Sequence, residues 1–166
     1  MKLIVEYRAR ALLHEGITPT IPGALSLPAS FSLPILRFAR KTKLLTDGEL
    51  FDALTATPAS TWKLGAVGGL NKGNKADILI ARLKDHHDLI NGFFQVNPAD
   101  ILAVFKHGQI ILLDESLHQQ GKQYLKNDFT KVYIDGHWKY LKGNLAGLVK
   151  DIKTYQPDVS FPVEIY

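Results

Sequence analysis

The chain has 166 residues, 46% hydrophobic and 22% charged, which indicates a folded domain, or a domain plus a fragment, rather than disorder. Its net charge is +4, and no block of five like charges occurs, so nothing specifically indicates nucleic-acid binding. The lack of cysteine excludes disulfides, thiolate catalysis and cysteine metal ligands, and agrees with an expected cytoplasmic location.

The N-terminal region holds a charge-free stretch, Gly16–Leu36, that is long enough to cross a membrane. Four prolines interrupt it, so we expect a buried irregular segment and no membrane partner. The apolar run at the N-terminus stops at Glu6, before it could form a signal-peptide core. Apolar spacing predicts a helix from Ile4 to Leu13, and Ile17–Ile21 is predicted to form a short strand.

Two helices are predicted next. The first begins near Pro34 and turns its apolar residues inward and its basic residues outward. The predicted inward residues are Ile35, Leu36, Phe38 and Ala39, and the outward residues are Arg37, Arg40 and Lys41. The second helix begins at a predicted capping box, in which Thr46 accepts from the amide of Glu49 and the Glu49 carboxylate reaches back.

After Gly65 the apolar period changes from helical to two, which predicts strands. One strand covers Asp77–Leu83. Two hairpins follow, with turns at His107-Gly108 and at Asp135-Gly136; the second is the stronger signal, because a type I′ turn needs positive φ at both positions. Asn144 is predicted to cap a C-terminal helix.

Several polar groups invite a functional interpretation, and each has a simpler one. His86 and His87, between Asp85 and Asp88, could grip a metal, but a solvated loop is the more economical interpretation. The loop serines have no nucleophile elbow around them; they are Ser26, Ser30 and Ser32. Glu49 and Asp52 share a helix face, but helix capping already explains Glu49.

The glycine-rich connector, Gly65 to Gly73, is the predicted domain boundary. The overlapping segment from Gly68 to Lys75 resembles a phosphate loop only in its glycine spacing. Asn74 stands where that motif needs lysine, no serine or threonine follows to hold magnesium, and the segment precedes a strand. We therefore interpret it as two turns around a short strand.

Aromatic residues alternate with lysines near Lys122–Lys142, which could indicate a stacking surface for nucleic acid. A half-buried sheet produces the same alternation, and we prefer that interpretation. No nucleic-acid partner is therefore predicted.

The segment around the connector resembles the C-terminal signature of the amidohydrolase superfamily of metal-dependent hydrolases. The residues that carry the resemblance are Leu54-Thr55-Ala56-Thr57-Pro58-Ala59, Trp62, Leu64-Gly65 and Gly69–Ile80, with Val104–Ile110 resembling a later family hairpin. The resemblance implies an α+β fold class: the last βα elements of a (β/α)8 barrel in residues 1–64, followed in residues 65–166 by an amidohydrolase-type composite β-sandwich and a C-terminal helix. It also implies the C-terminal portion of a hydrolase of C–N bonds, similar to deaminases and dihydroorotases.

The family's metal ligands have no counterpart in this chain. There is no His-x-His, and Pro22-Gly23 stand where the family's aspartate would follow Ile21. No catalytic, cofactor-binding or metal-binding residue is therefore assigned, and a divalent metal such as zinc is expected only in a full-length family member.

Three functions remain open: the C-terminal portion of an amidohydrolase, a stand-alone non-catalytic binding or association domain derived from that family, and an independent hydrolase with an unrecognised site. A piece that ends a barrel would carry an unpaired strand edge and an uncovered apolar surface. We therefore expect self-association, or binding to a missing barrel portion, through residues 1–40.

Overall fold

The computed structural model describes residues 2–5, 32–125, 128–161 and 163–166, and the structural statements below concern these residues. Seven strands form one sheet. They are β1 (Lys2–Val5), β2 (Ile78–Arg82), β3 (Ile101–Lys106), β4 (Gln109–Asp114), β5 (Phe129–Ile134), β6 (His137–Lys142) and β7 (Glu164–Ile165). Their order is β1-β2-β3-β4-β6-β5-β7, and every neighbouring pair is antiparallel.

The helices are mostly short. They are α1 (Ser32–Thr42), α2 (Asp47–Asp52), α3 (Ala56–Thr61), α4 (Leu89–Phe94), α5 (His118–Gly121) and α6 (Leu145–Tyr155), with 3₁₀ turns at Pro98–Asp100, Glu115–Leu117 and Lys122–Tyr124. None of the helices in the described ranges is long and apolar enough to cross a membrane.

Both predicted hairpins are confirmed. β3 pairs with β4 and β5 pairs with β6, and the connecting residues have positive φ: 50° at His107, 76° at Gly108, 46° at Asp135 and 86° at Gly136. Positive φ at both central positions is the geometry of a type I′ turn, whose twist matches that of the flanking strands. The first turn is also tied to β2, because the buried Asp77 carboxylate accepts from the His107 amide at 2.6 Å.

The predicted helix caps are also confirmed. Thr46 and Glu49 form a reciprocal capping box at the start of α2, and the Asn144 side chain accepts from the Gly147 amide at the start of α6. These contacts join residues three apart, so they depend only on local sequence.

The predicted barrel elements and β-sandwich are wrong. The described residues form a small α+β fold around a single open antiparallel sheet, whereas a (β/α)8 barrel needs parallel strands and a sandwich needs a second sheet. The difference arises because β6 pairs with β4, so the second hairpin extends the first sheet instead of facing it. The predicted strand Ile17–Ile21 lies outside the described residues.

The N-terminal helix predicted from Ile4 is wrong at its start. Lys2–Val5 is a strand paired with β2, with Lys2 opposite Arg82 and Val5 opposite Leu79. Helical and strand spacing are hard to separate in a short apolar run, and pairing with an existing strand decides between them.

The inward face of α1 differs from the prediction. Phe38 is 71% exposed, and the predicted outward residues Arg37 and Arg40 point inward and make specific contacts. Arg37 donates to the carbonyl oxygens of Phe94, the last residue of α4, and of Val96, two residues beyond it. The Arg40 guanidinium carbon lies 5.0 Å from the centre of the Phe94 ring. The arginines therefore attach α1 to α4, and part of the apolar side of α1 faces outward.

The helices α1, α2 and α4 share a small apolar core. Its buried residues are Leu50, Phe93 and Phe94, packed against Leu33, Leu36, Ala39, Phe51, Leu54 and Ile90. The Phe93 ring meets Phe51 and Phe94 edge-on, at centroid distances of 5.1 and 5.3 Å. Gly92 lets α4 approach Leu83, the residue after β2, because a Cβ at position 92 would lie 2.5 Å from a Leu83 methyl carbon.

Candidate ligand-binding face

The loop that carries His86 and His87 is organised by its aspartates. One Asp85 oxygen accepts from the amides of His87 and Asp88, and the other accepts from the Asn91 side chain at 2.8 Å. These bonds, the Asn91 bond first, hold the pKa of Asp85 below its usual range. The Asp88 side chain caps α4 through the Asn91 amide. Both carboxylates therefore stabilise the loop and the start of α4.

None of the remaining polar candidates lies in a site that the structure describes: Glu49 caps a helix, and two of the three serines lie outside the described residues. The Glu49 carboxylate closes the capping box with Thr46, whose backbone and side-chain hydrogen bonds lower the pKa of Glu49. Ser26 and Ser30 lie outside the described residues, and Ser32 is the first residue of α1. Within the described ranges, no three histidine, aspartate or glutamate side chains are grouped so that they could hold a metal ion.

The glycine-rich connector lines an open depression beside α3. Its volume is about 480 Å³, and its lining residues are Ala56, Ala59, Ser60, Lys63, Gly65, Val67 and Gly68. The close approach requires glycine at position 68, where φ is 86° and a Cβ would lie 2.5 Å from the Ala59 Cβ. The segment from Gly68 to Lys75 contains a turn but no strand, so the short strand predicted there is wrong.

A buried ion pair that the sequence analysis missed lies under the second hairpin. Lys139 is fully buried, and its ammonium donates to Asp114 at 2.9 Å, to the Ala99 carbonyl at 3.1 Å and to the Ile101 carbonyl at 2.6 Å. Three acceptors use all three donors of the ammonium group. Through its bonds to the two carbonyls, Lys139 connects the 3₁₀ turn at Pro98–Asp100 to β6.

Asp114 receives further support. Burial raises its pKa, but hydrogen bonds from the Ser116 hydroxyl, Lys139 and the Ser116 amide outweigh it, so the pKa of Asp114 lies below its usual value. The Arg82 guanidinium lies 3.4 Å from the same carboxylate. In the sequence, Lys139 is one of two lysines in the strands of the predicted second hairpin, the other being Lys131. Nothing in that pattern indicates which of the two is buried.

The aromatic residues of the second hairpin lie on the opposite face of the sheet from Lys139. Tyr133 pairs with Trp138, and Lys131 pairs with Tyr140, so these four side chains share a face. They are half-buried, whereas Val132 and Lys139, on the other face, are fully buried. We name the half-exposed surface the aromatic face; it consists of Lys131, Tyr133, Trp138, Tyr140 and Tyr166, with Glu115 and His118 at one end.

Each ring of the aromatic face contacts at least one other ring. The Trp138 centroid lies 4.9 Å from Tyr133 and 4.7 Å from Tyr166, and Tyr140 stacks on His118 at 4.8 Å. The Lys131 ammonium lies 4.8 Å from the Trp138 centroid and 5.6 Å from that of Tyr140. The rings therefore form two groups, Tyr140 with His118 and Trp138 with Tyr133 and Tyr166, and the Lys131 ammonium lies between them.

The charged groups of the aromatic face are coupled. Lys131 forms a 3.2 Å ion pair with Glu115, and the hydrogen bond between them raises the pKa of Lys131. Burial acts to raise the pKa of Glu115, but bonds from Tyr140 and Lys131 bring it below its usual value. Burial first, and then the bond to Glu115, raise the pKa of Tyr140. At neutral pH the face therefore carries a charged pair beside the neutral phenol of Tyr140.

The alternating aromatic and lysine residues lie in a half-buried sheet, as predicted. Lys139 points into the core, whereas Lys131 and the neighbouring rings lie on the half-exposed face. Comparison of the chain with protein-family models, curated proteins and solved structures finds no match.

Proposed function

We propose that this chain is a non-catalytic binding module that holds its ligand against the aromatic face. The observation that carries the proposal is the orientation of β6, in which Lys139 is buried while Trp138 and Tyr140 stand on the half-exposed side. Leaving large rings partly in water forgoes part of the free energy that their burial would supply. A ligand that covers them recovers that energy.

The composition of the aromatic face supports a binding role. Tryptophan and tyrosine are enriched among the residues that contribute most to binding, because they offer a large rigid apolar surface and a polar edge. Tyr166, 70% exposed, lies at the edge-on contact with Trp138 and adds to this surface. The face therefore offers both contact area and hydrogen-bonding groups.

The non-catalytic part of the proposal rests on the sequence and on the hydrogen bonds of the acidic groups. The chain lacks the His-x-His ligands of the amidohydrolase superfamily. The carboxylates of Asp85, Asp88 and Glu49 accept bonds from nearby backbone amides. The resemblance of the connector to amidohydrolases stays a hypothesis, to which the open sheet adds no support.

To test the proposal, a panel of ligands is titrated into the ¹⁵N-labelled protein, and the changes in its backbone amide chemical shifts are measured by NMR. The panel contains uncharged hexasaccharides, single-stranded oligonucleotides and a degenerate peptide mixture. We expect at least one class to shift saturably the amides of Lys131, Tyr133, Trp138 and Tyr140. Absence of binding by every class, or shifts confined to the depression beside α3, would contradict the proposal.

A further inference from the structure

The edge of the sheet beside β5 is covered by a short segment of the chain, residues 163–166, which we name the β7 segment. Its strand β7 pairs with two of the six residues of β5, Val132 and Tyr133. The Tyr166 amide adds one bond, to the Lys131 carbonyl at 3.2 Å. No side chain of the β7 segment is buried, and Tyr166 is 70% exposed. Elements with few buried contacts open at low free-energy cost, so this covering is easily displaced.

The β7 segment shows which side chains this edge accepts. Side chains alternate between the two faces of a strand, so neighbouring residues of the segment lie on opposite faces. Ile165, half-buried, lies opposite the fully buried Val132. The Tyr166 ring lies on the aromatic face, where it meets Trp138 edge-on at 4.7 Å. The edge therefore accepts an extended chain in which an aliphatic residue is followed by an aromatic one.

A longer peptide strand would pair with more of this edge than β7 does. Alternate residues of a strand direct their N–H and C=O groups to the same neighbour, so Lys131 and Tyr133 direct theirs to the β7 segment. By the same alternation Phe129 directs its groups to this edge, but it lies outside the register of β7. Additional pairs would offset the advantage that β7 has from belonging to the same chain. Neither a sugar nor a nucleic acid carries amides and carbonyls at strand spacing, so the edge favours a peptide.

We propose, on the basis of the binding function above, that the edge of β5 binds an extended segment of another protein, which displaces the β7 segment. The incoming aromatic side chain takes the place of Tyr166 against Trp138, so no other ring of the face has to be uncovered. Lys131 keeps its position between the two groups of rings. Strand addition to a sheet edge supplies backbone hydrogen bonds for affinity and alternate side chains for specificity.

A synthetic peptide tests the inference. It repeats residues 163–166 and continues with two threonines, so that it can pair along the whole of β5. The peptide is titrated into the ¹⁵N-labelled native chain, and backbone amide shifts are measured by NMR. We expect the amides of Lys131 and Tyr133 to shift saturably, together with those of the β7 segment as it is displaced. A control peptide with an N-methyl group on its tyrosine amide keeps every side chain but cannot donate to the Lys131 carbonyl. It should bind at least about tenfold more weakly.

Variants of the chain test whether the β7 segment competes with the peptide. Tyr166→Pro removes both the ring and the amide that hold the segment, and it should bind the peptide about tenfold more tightly than the native chain does. Tyr166→Ala removes the ring alone and should give an intermediate affinity. Tyr155→Ala should leave the affinity unchanged, because Tyr155 is 87% exposed on α6. Both tyrosines are largely exposed, so none of these changes should unfold the chain.

The outcomes separate this inference from the proposed function. Equal affinity of the native chain and Tyr166→Pro, or equal binding of the N-methylated peptide, would overturn it. Shifts of the same amides with the concentration of the native chain alone would assign the edge to the β7 segment of a second copy, and would overturn a partner of another kind. Saccharide or oligonucleotide binding at the aromatic face without peptide binding would overturn the inference and leave the binding function standing. If neither the peptide nor any class in the ligand panel binds at the face, both proposals fail.

Discussion

Lys139 is among the largest fully buried side chains in the described part of the chain, and it is a charged one. Removing an ammonium group from water costs several kcal/mol, which hydrogen bonds and an opposite charge must offset. Asp114 and two backbone carbonyls supply them. The stability of this site therefore depends on all of its members being present.

Replacing Lys139 alone should strongly destabilise the fold. Lys139→Met leaves Asp114 as a buried carboxylate without its nearest cation, and we expect a loss of about 3–5 kcal/mol in the free energy of unfolding. The counterpart Lys131→Met breaks the solvent-accessible pair with Glu115 and should cost far less than Lys139→Met. Urea denaturation followed by circular dichroism measures both, and equal losses in the two variants would contradict the expectation.

Asp114 should also make the stability depend on pH. Its pKa in the folded state lies below the usual 3.8, so the unfolded chain binds the proton more tightly. The contribution is fully present above pH 3.8 and is lost as the pH falls through the folded pKa. The urea midpoint of the native chain should drop steeply below about pH 4, and Asp114→Asn should flatten that drop. The same steepness in both proteins would show that Asp114 contributes nothing to it.

At the scale of elements, the two hairpins depend on left-handed turn residues. Gly136 has φ of 86°, and a side chain there is strained even though nothing lies within 4 Å of a built Cβ. Gly136→Ala should therefore cost about 1–2 kcal/mol. Gly48, in α2, also has open space around it but no positive φ, so Gly48→Ala should be neutral or stabilise by up to ~1 kcal/mol.

Thermal unfolding of the two glycine variants beside the native chain measures these effects. The comparison isolates backbone conformation, because neither new methyl group meets a neighbour. A midpoint for Gly136→Ala at or above that of Gly48→Ala would argue against a strained turn at Asp135-Gly136.

For the whole molecule, association through residues 1–40 stays a prediction. On α1, Phe38 is 71% and Ile35 44% exposed, because Arg37 and Arg40 occupy positions that point inward. An apolar surface of this kind favours association. We expect the sedimentation coefficient of the native chain to rise with concentration in the micromolar range, and Phe38→Glu to suppress the rise.

Tyr155→Glu is the control for that measurement, because Tyr155, 87% exposed, is at least as accessible as Phe38 but lies on α6. It should associate as the native chain does. A native chain that sediments as a monomer at every concentration, or a control that dissociates as fully as Phe38→Glu, would place the association elsewhere or remove it.

The sequence by itself determined the elements that depend on near neighbours: the turn at Asp135-Gly136, the capping box of Thr46 and Glu49, and the Asn144 cap. Only the tertiary structure decided that the second hairpin continues the first sheet and that β1 joins β2, since hairpin signals do not specify which strands meet later. It also decided that Lys139 faces inward and the rings outward. A period of two assigns alternate residues to opposite faces of a strand, but what packs on each face determines which one is buried, and a lysine can be buried only where distant carbonyls and a carboxylate meet its ammonium group.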